Sequence, residues 1–262
     1  MTRTNTDGAV IAEIKAACKR LQLPTVSARS VELAEDARRA AESYESYLAA
    51  LLAAECDDRT ERRRRRLVTE AHFPRLKTIE EFRFADNPAV SAREIRELGT
   101  ADFCRRAENV ILLGDSGTGK THLGIAIGIA ACHASLRVRF TTTAGLVNEL
   151  IEARDERVLS KVIHRYAAAD LLVLDELAYV PLQPADAELL FQVIDARTEH
   201  GSILVTTNLP FSEWTQVFPE TRLCKAVVDR LTFNAHIIET GTDSWRFKRS
   251  AARRGASKRA SS

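Results

Sequence analysis

The chain has 262 residues, 45% of them hydrophobic and 28% charged, with a formal net charge of +2. That balance excludes a disordered or fibrous chain and suffices for one sizeable core with a smaller appended domain. Cys18, Cys56, Cys104, Cys132 and Cys224 stand singly, which argues against a disulfide framework or a zinc site and predicts a reducing compartment.

No apolar signal core opens the sequence and no apolar run is long enough to span a bilayer, so a cytoplasmic protein with no membrane partner is expected. Val10, Ile14, Ala17 and Leu21 recur at helical spacing until Pro24 breaks the run. Tyr44, Tyr47, Leu48, Leu51 and Leu52 share a second helical face, followed by "RTERRRRRLV". With no strand signal before it, the segment 1–70 is predicted to be a small all-helical N-terminal domain. The segment 71–108 includes "FPRLKTIEEFRF", shows no clear period and is expected to be a connector that packs onto the next domain.

Short apolar runs then alternate with helical patterns. Strands are predicted at Val110–Leu113, Val138–Thr141, Leu171–Leu174, Ile203–Thr206 and His236–Glu239. Helices are expected at Lys120–Ser135, as a pair within Ala144–Ala169, and at Asp186–His200. This alternation predicts an α/β domain over 109–245 with a mostly parallel five-stranded sheet. The segment 246–262 is basic, without acids, and reads as a disordered tail.

Gly114 to Thr121 reads G-x-x-x-x-G-K-T between an apolar strand and a helix, the context a phosphate-binding loop requires. Gly114, Gly117 and Gly119 let the backbone curl so that N–H groups face phosphate oxygens. The candidate ATP-binding residues are Gly114, Asp115, Ser116, Gly117, Thr118, Gly119, Lys120, Thr121 and His122. Lys120 suits the β- and γ-phosphates, and the Thr121 hydroxyl suits Mg²⁺. In "LLVLDEL" a buried strand delivers Asp175 and Glu176 at its C-terminal end, where α/β sheets bind ligands. Asp175 would hold Mg²⁺ and Glu176 would polarise the attacking water. Asn208, after the strand in "SILVTTN", would sense the γ-phosphate.

A small-molecule kinase is the rival use of such a loop, but it would need an arginine-bearing lid. Here Arg154, Arg157, Lys161, His164 and Arg165 instead fall at helical spacing as one stripe without matching acids, which suits a DNA backbone. Arg63 and Arg64 lie in a second basic cluster, Arg62 to Arg66. No base-reading motif is present, so binding to double-stranded DNA is expected to be sequence-independent.

"GDSGTGKTHL", "LSKVIHRYAAADLLVLDELAYVPL", "LLFQVIDARTEHGSILVTTNLPFSEW" and "VVDRLTFNAHIIE" together give the chain a resemblance to the IstB-like insertion-sequence ATP-binding proteins. These are AAA+ helper ATPases of transposition, related to the DnaC-type helicase loaders. The resemblance implies an AAA+ P-loop NTPase without a C-terminal lid, in a bacterial cytoplasm. It also implies Arg230 of "DRL" as an arginine finger and the paired helices within 144–169 as a DNA-facing insertion. Its further implication is a homo-oligomer that bends or wraps duplex DNA when ATP-bound and cooperates with a transposase. The chain departs from the family pattern at Asp115, where many relatives carry Pro, and at Ala178, where Gly is frequent. Three readings stay open: a transposase helper, a helicase loader, and a nucleotide-gated DNA scaffold with little hydrolysis.

Overall fold

A computed structural model describes residues 3–177, 181–198 and 200–242. The basic tail and Ala178 lie outside the described residues. The chain forms two compact units, Met1–Arg65 and Arg66–Ser262.

The first unit is helical. It holds α1 (Arg3–Leu21), α2 (Pro24–Arg39) and most of α3 (Tyr44–Glu70). The sequence pattern reads Pro24 only as a breaker. It does end α1, but it also opens α2, because a proline at the first helical position gives up an N–H that has no helical acceptor anyway. The next two N–H groups, of Thr25 and Val26, donate to the buried Glu55 carboxylate at 2.9 and 3.1 Å. Arg59 and Arg62 lie 3.1 and 3.3 Å from the same carboxylate. Cys18, Val26 and Leu51 form a small core. The face expected for α3 is therefore wider than the buried one: Tyr47 and Leu51 turn inward, while Tyr44 is 89% exposed and Leu48 and Leu52 are about half exposed.

The second unit is built on β1 (Asn109–Leu113), β2 (Val138–Thr142), β3 (Leu171–Leu177), β4 (Ser202–Thr207) and β5 (Ala235–Glu239). Their order is β2-β3-β4-β1-β5, and every pairing is parallel. Val110, Leu112, Leu171, Val173 and Leu204 face one core; Ile111, Leu172, Leu174, Ile203 and Val205 face the other. Burial on both faces explains why these strands read as unbroken apolar runs.

The first core is covered by α4 (Ala92–Leu98), α5 (Asp102–Arg105) and α6 (Lys120–His133). The second is covered by α7 (Thr143–Asp155), α8 (Leu159–Ala167), α9 (Pro184–Asp195) and α10 (Thr221–Thr232). The segment 71–108 thus contains two α-helices, of seven and four residues, and a three-residue 3-10 helix, Phe84–Asp86, all too short to display a period. Its Val90, Ile95, Leu98 and Phe103 are core residues. The helix expected to reach His200 stops at Asp195. Just beyond it, the fully buried Arg197 donates to the carbonyls of Tyr166 and Ser202, joining the end of α8 to the start of β4. Among the described residues no helix is long and apolar enough to cross a membrane.

Candidate functional site

The C-terminal ends of the central strands gather the sequence motifs. Gly114 follows β1, and its N–H donates to Thr207 O at the end of β4, 3.2 Å away. The Asp115 N–H donates to Gly241 O at 3.0 Å, and the Thr118 hydroxyl shares a 2.7 Å hydrogen bond with that of Thr240. The loop is thus moored to β4 and to the chain leaving β5. Two of its glycines are obligatory on steric grounds. Gly114 has φ +152°, and a Cβ there would strike Thr240 and Gly241; Gly119 has φ +100°, and a Cβ would lie 2.6 Å from the Phe82 ring.

Lys120, the first residue of α6, donates from Nζ to the Gly114 and Asp115 carbonyls at 2.6 and 2.8 Å. Its ammonium therefore lies over the loop that would cradle phosphate. Two supports come from the 71–108 segment and carry no sequence signature. The Asn87 side-chain amide donates to both Thr118 O and Thr240 O at 3.0 Å, clamping loop to strand exit. The His122 side chain turns to this segment too, with Nε2 2.9 Å from Thr78 O and its ring edge-on to Phe82. Burial pushes the His122 pKa down.

The acids stand one strand beyond β4. Between β3 and β4, Leu174 pairs with Val205 and Leu177 with Thr207, so Asp175 and Glu176 together oppose Thr206. This is a β-bulge, in which two residues of β3 stand against one of β4 and the strand bends locally. Asp175 is buried, and its Oδ1 accepts the Thr206 hydroxyl at 2.5 Å and the Thr121 hydroxyl at 3.1 Å. Glu176 is exposed and holds φ +60°, a left-handed conformation that costs a non-glycine residue about 1–3 kcal/mol. Asn208 is exposed immediately after β4, between the acids' strand and the P-loop strand. Thr206 escapes a sequence reading because its importance comes from a register partner on another strand.

The site is chemically coherent. Glycine-shaped backbone and Lys120 suit a polyphosphate. A carboxylate and a hydroxyl that already touch, Asp175 and Thr121, suit Mg²⁺, which takes few protein oxygens and completes its shell with phosphate and water.

A family model described as IstB-like ATP binding protein matches residues 16–253. The chain belongs to the IstB-like ATP-binding family. An insertion-sequence ATP-binding protein of Sinorhizobium fredii is 40% identical over 88% of this chain and 78% of its own length. One from Geobacillus stearothermophilus is 38% identical over 88% of this chain and 92% of its own. Among solved structures, the crystal structure of the DnaC helicase loader superposes with a TM-score of 0.50 at 24% identity, over 56% of this chain and 86% of that one. That likeness concerns the fold alone, an AAA+ P-loop NTPase.

In this IstB-like chain Arg230 lies at the other end of the sheet. The side-chain amide of Asn109, the first residue of β1, donates to the backbone carbonyls of Arg230 and Leu231 at 3.1 and 3.2 Å. The P-loop begins after the last residue of β1, about 13 Å away at the rise of an extended strand. The Arg230 side chain is 38% exposed, with Nε donating to Asp195 at 3.0 Å and a terminal nitrogen to Asp229 at 3.3 Å. A cavity of about 150 Å³ beside it, lined by Arg106, Asn109, Arg197 and Arg230, is remote from the P-loop.

The five basic residues expected to form one stripe are split between two helices and the turn that joins them. Arg154 belongs to α7, Arg157 has φ +60° in the turn after it, and only Lys161, His164 and Arg165 share α8. The left-handed turn breaks the helical phase, so the five do not form one stripe. Nor are acids missing: Arg154 pairs with Asp155 at 3.4 Å, and Arg165 pairs with Glu149 while stacking on Tyr166. Arg154, Arg157, Lys161, His164 and Arg165 are not deeply buried. In the Arg62–Arg66 cluster, Arg62 pairs with Glu55, Arg65 with Glu61 and Arg66 with Glu70; Arg63 is exposed and Arg64 half-buried.

Proposed function

We propose that this IstB-like protein is an ATPase that assembles on duplex DNA, remodels it and assists a transposase. The observation that carries the reading is the meeting of the P-loop, the Asp175–Glu176 bulge and Asn208 at one edge of the sheet, in a chain whose relatives are insertion-sequence ATP-binding proteins. In this reading Glu176 takes a proton from water as the water oxygen bonds to the γ-phosphorus. The bond to the β-phosphate oxygen breaks, releasing ADP and phosphate. Asn208 orients that water and Lys120 neutralises the phosphate oxygens. Thr121 and Asp175 would hold Mg²⁺, which when bound would supply further neutralisation of phosphate charge.

Lys120→Ala is the first test. It removes two charge-assisted bonds to phosphate, so ATP affinity should fall at least about 100-fold by calorimetric titration. Parental affinity in the variant would remove the phosphate-binding assignment.

The DNA reading draws on exposed cations of the turn after α7 and of α8, namely Arg157 and Lys161. Reversing both charges should weaken duplex binding alike for all sequences. It should also flatten the log–log salt dependence by about 0.9 for each phosphate no longer neutralised. An unchanged slope returns these side chains to a solvated surface. A preference for single strands favours a helicase loader over a transposase helper.

A further inference from the structure

Thr206 touches both acids at once. Its hydroxyl donates to Asp175 Oδ1 over an oxygen–oxygen distance of 2.5 Å, and its oxygen accepts the Glu176 N–H at 2.9 Å. The residue is 1% exposed, so solvent does not replace either bond when it is lost. The register sets Asp175 and Glu176 together against this single residue, at the position where Glu176 takes its left-handed φ. A peptide N–H turned out of the regular ladder by a bulge needs an acceptor of its own. Thr206 Oγ1 provides it.

We propose that Thr206 is a positioning residue for ATP hydrolysis: its hydroxyl holds the left-handed backbone of Glu176, and with it the direction of the Glu176 carboxylate, against the Asp175 side chain. The inference rests on the reading of Glu176 as the group that activates water. A chain of bonds from Glu176 N–H through Thr206 O–H to Asp175 Oδ1 fixes two groups of different duty with one side chain. It also explains how a strained backbone persists at an exposed residue, since β4 is paired on both sides and does not yield.

Thr206→Val keeps the shape and removes both bonds, whereas Thr206→Ser keeps the hydroxyl and loses a methyl group. The Val variant should lower kcat at least about tenfold while ATP affinity stays within about threefold, and the Ser variant should restore most of kcat. Hydrogen exchange at the Glu176 amide should be faster by about tenfold or more in the Val variant and near parental in the Ser variant. If the Val variant does not fold, Thr206→Ala against Thr206→Ser carries the same comparison. Parental kcat and protection without the hydroxyl would overturn the proposal. So would a loss of kcat, ATP affinity and thermal stability together that the Ser variant does not repair. A parental protein that binds ATP without cleaving it would instead overturn the hydrolysis reading, and the exchange comparison would still decide whether the hydroxyl holds Glu176.

Discussion

Glu176→Gln is expected to bind ATP as the parental protein does and to cleave it about 10²- to 10⁴-fold more slowly, the usual worth of a positioned general base. The amide has nearly the shape of the carboxylate but cannot take a proton from water. The groups that meet the phosphates are untouched: Lys120 still lies over the loop carbonyls and Thr121 still meets Asp175. The backbone N–H of residue 176 still donates to Thr206, so the left-handed turn survives the substitution. Single-turnover ADP formation beside a binding isotherm separates the two effects. Parental turnover would mean that another group activates the water, and lost binding would mean that the bulge serves the nucleotide rather than its cleavage.

Arg230→Ala is expected to cost still more, about 10³ to 10⁵ in rate, if Arg230 meets the γ-phosphate of a neighbouring subunit. Its place at the start of β1, with the P-loop at the other end of that strand, removes it from the nucleotide of its own subunit. The bonds to Asp195 and Asp229 do not prevent such a role. A half-exposed surface pair is worth at most about 1 kcal/mol, whereas a 10³- to 10⁵-fold effect corresponds to about 4–7 kcal/mol of transition-state stabilisation. Loss of the Asp195 pair is therefore small beside what the guanidinium would contribute in the transition state at a neighbour's γ-phosphate. Parental activity also should rise more than linearly with protein concentration, and a linear dependence together with an active Arg230→Ala variant would mean that each subunit works alone.

The middle of the sheet was legible in the sequence because β1, β3 and β4 are buried on both faces, so Val110–Leu113 and Leu171–Leu174 stand out as apolar runs next to their motifs. The P-loop, Asp175 and Asn208 sit at the ends of those strands and of β4, and could be placed at the same edge. What stayed hidden depends on partners far along the chain. The bulge opposite Thr206 is a matter of register between β3 and β4, and the Asn87 clamp joins residues 31 and 153 positions away. Pro24 misled because the same residue stops one helix and starts the next. The basic stripe misled because counting by helical period does not survive the left-handed turn at Arg157.

In the proposed assembly, ATP is bound by one subunit and cleaved with help from the next. Mixing two inactive proteins, Glu176→Gln and Arg230→Ala, tests it most directly. At a mixed interface an intact Glu176 beside the bound nucleotide can meet an intact Arg230 from the other protein, so ATPase activity should partly return. Absence of any recovery while the two variants demonstrably co-assemble, or full activity of Arg230→Ala alone, would contradict the account.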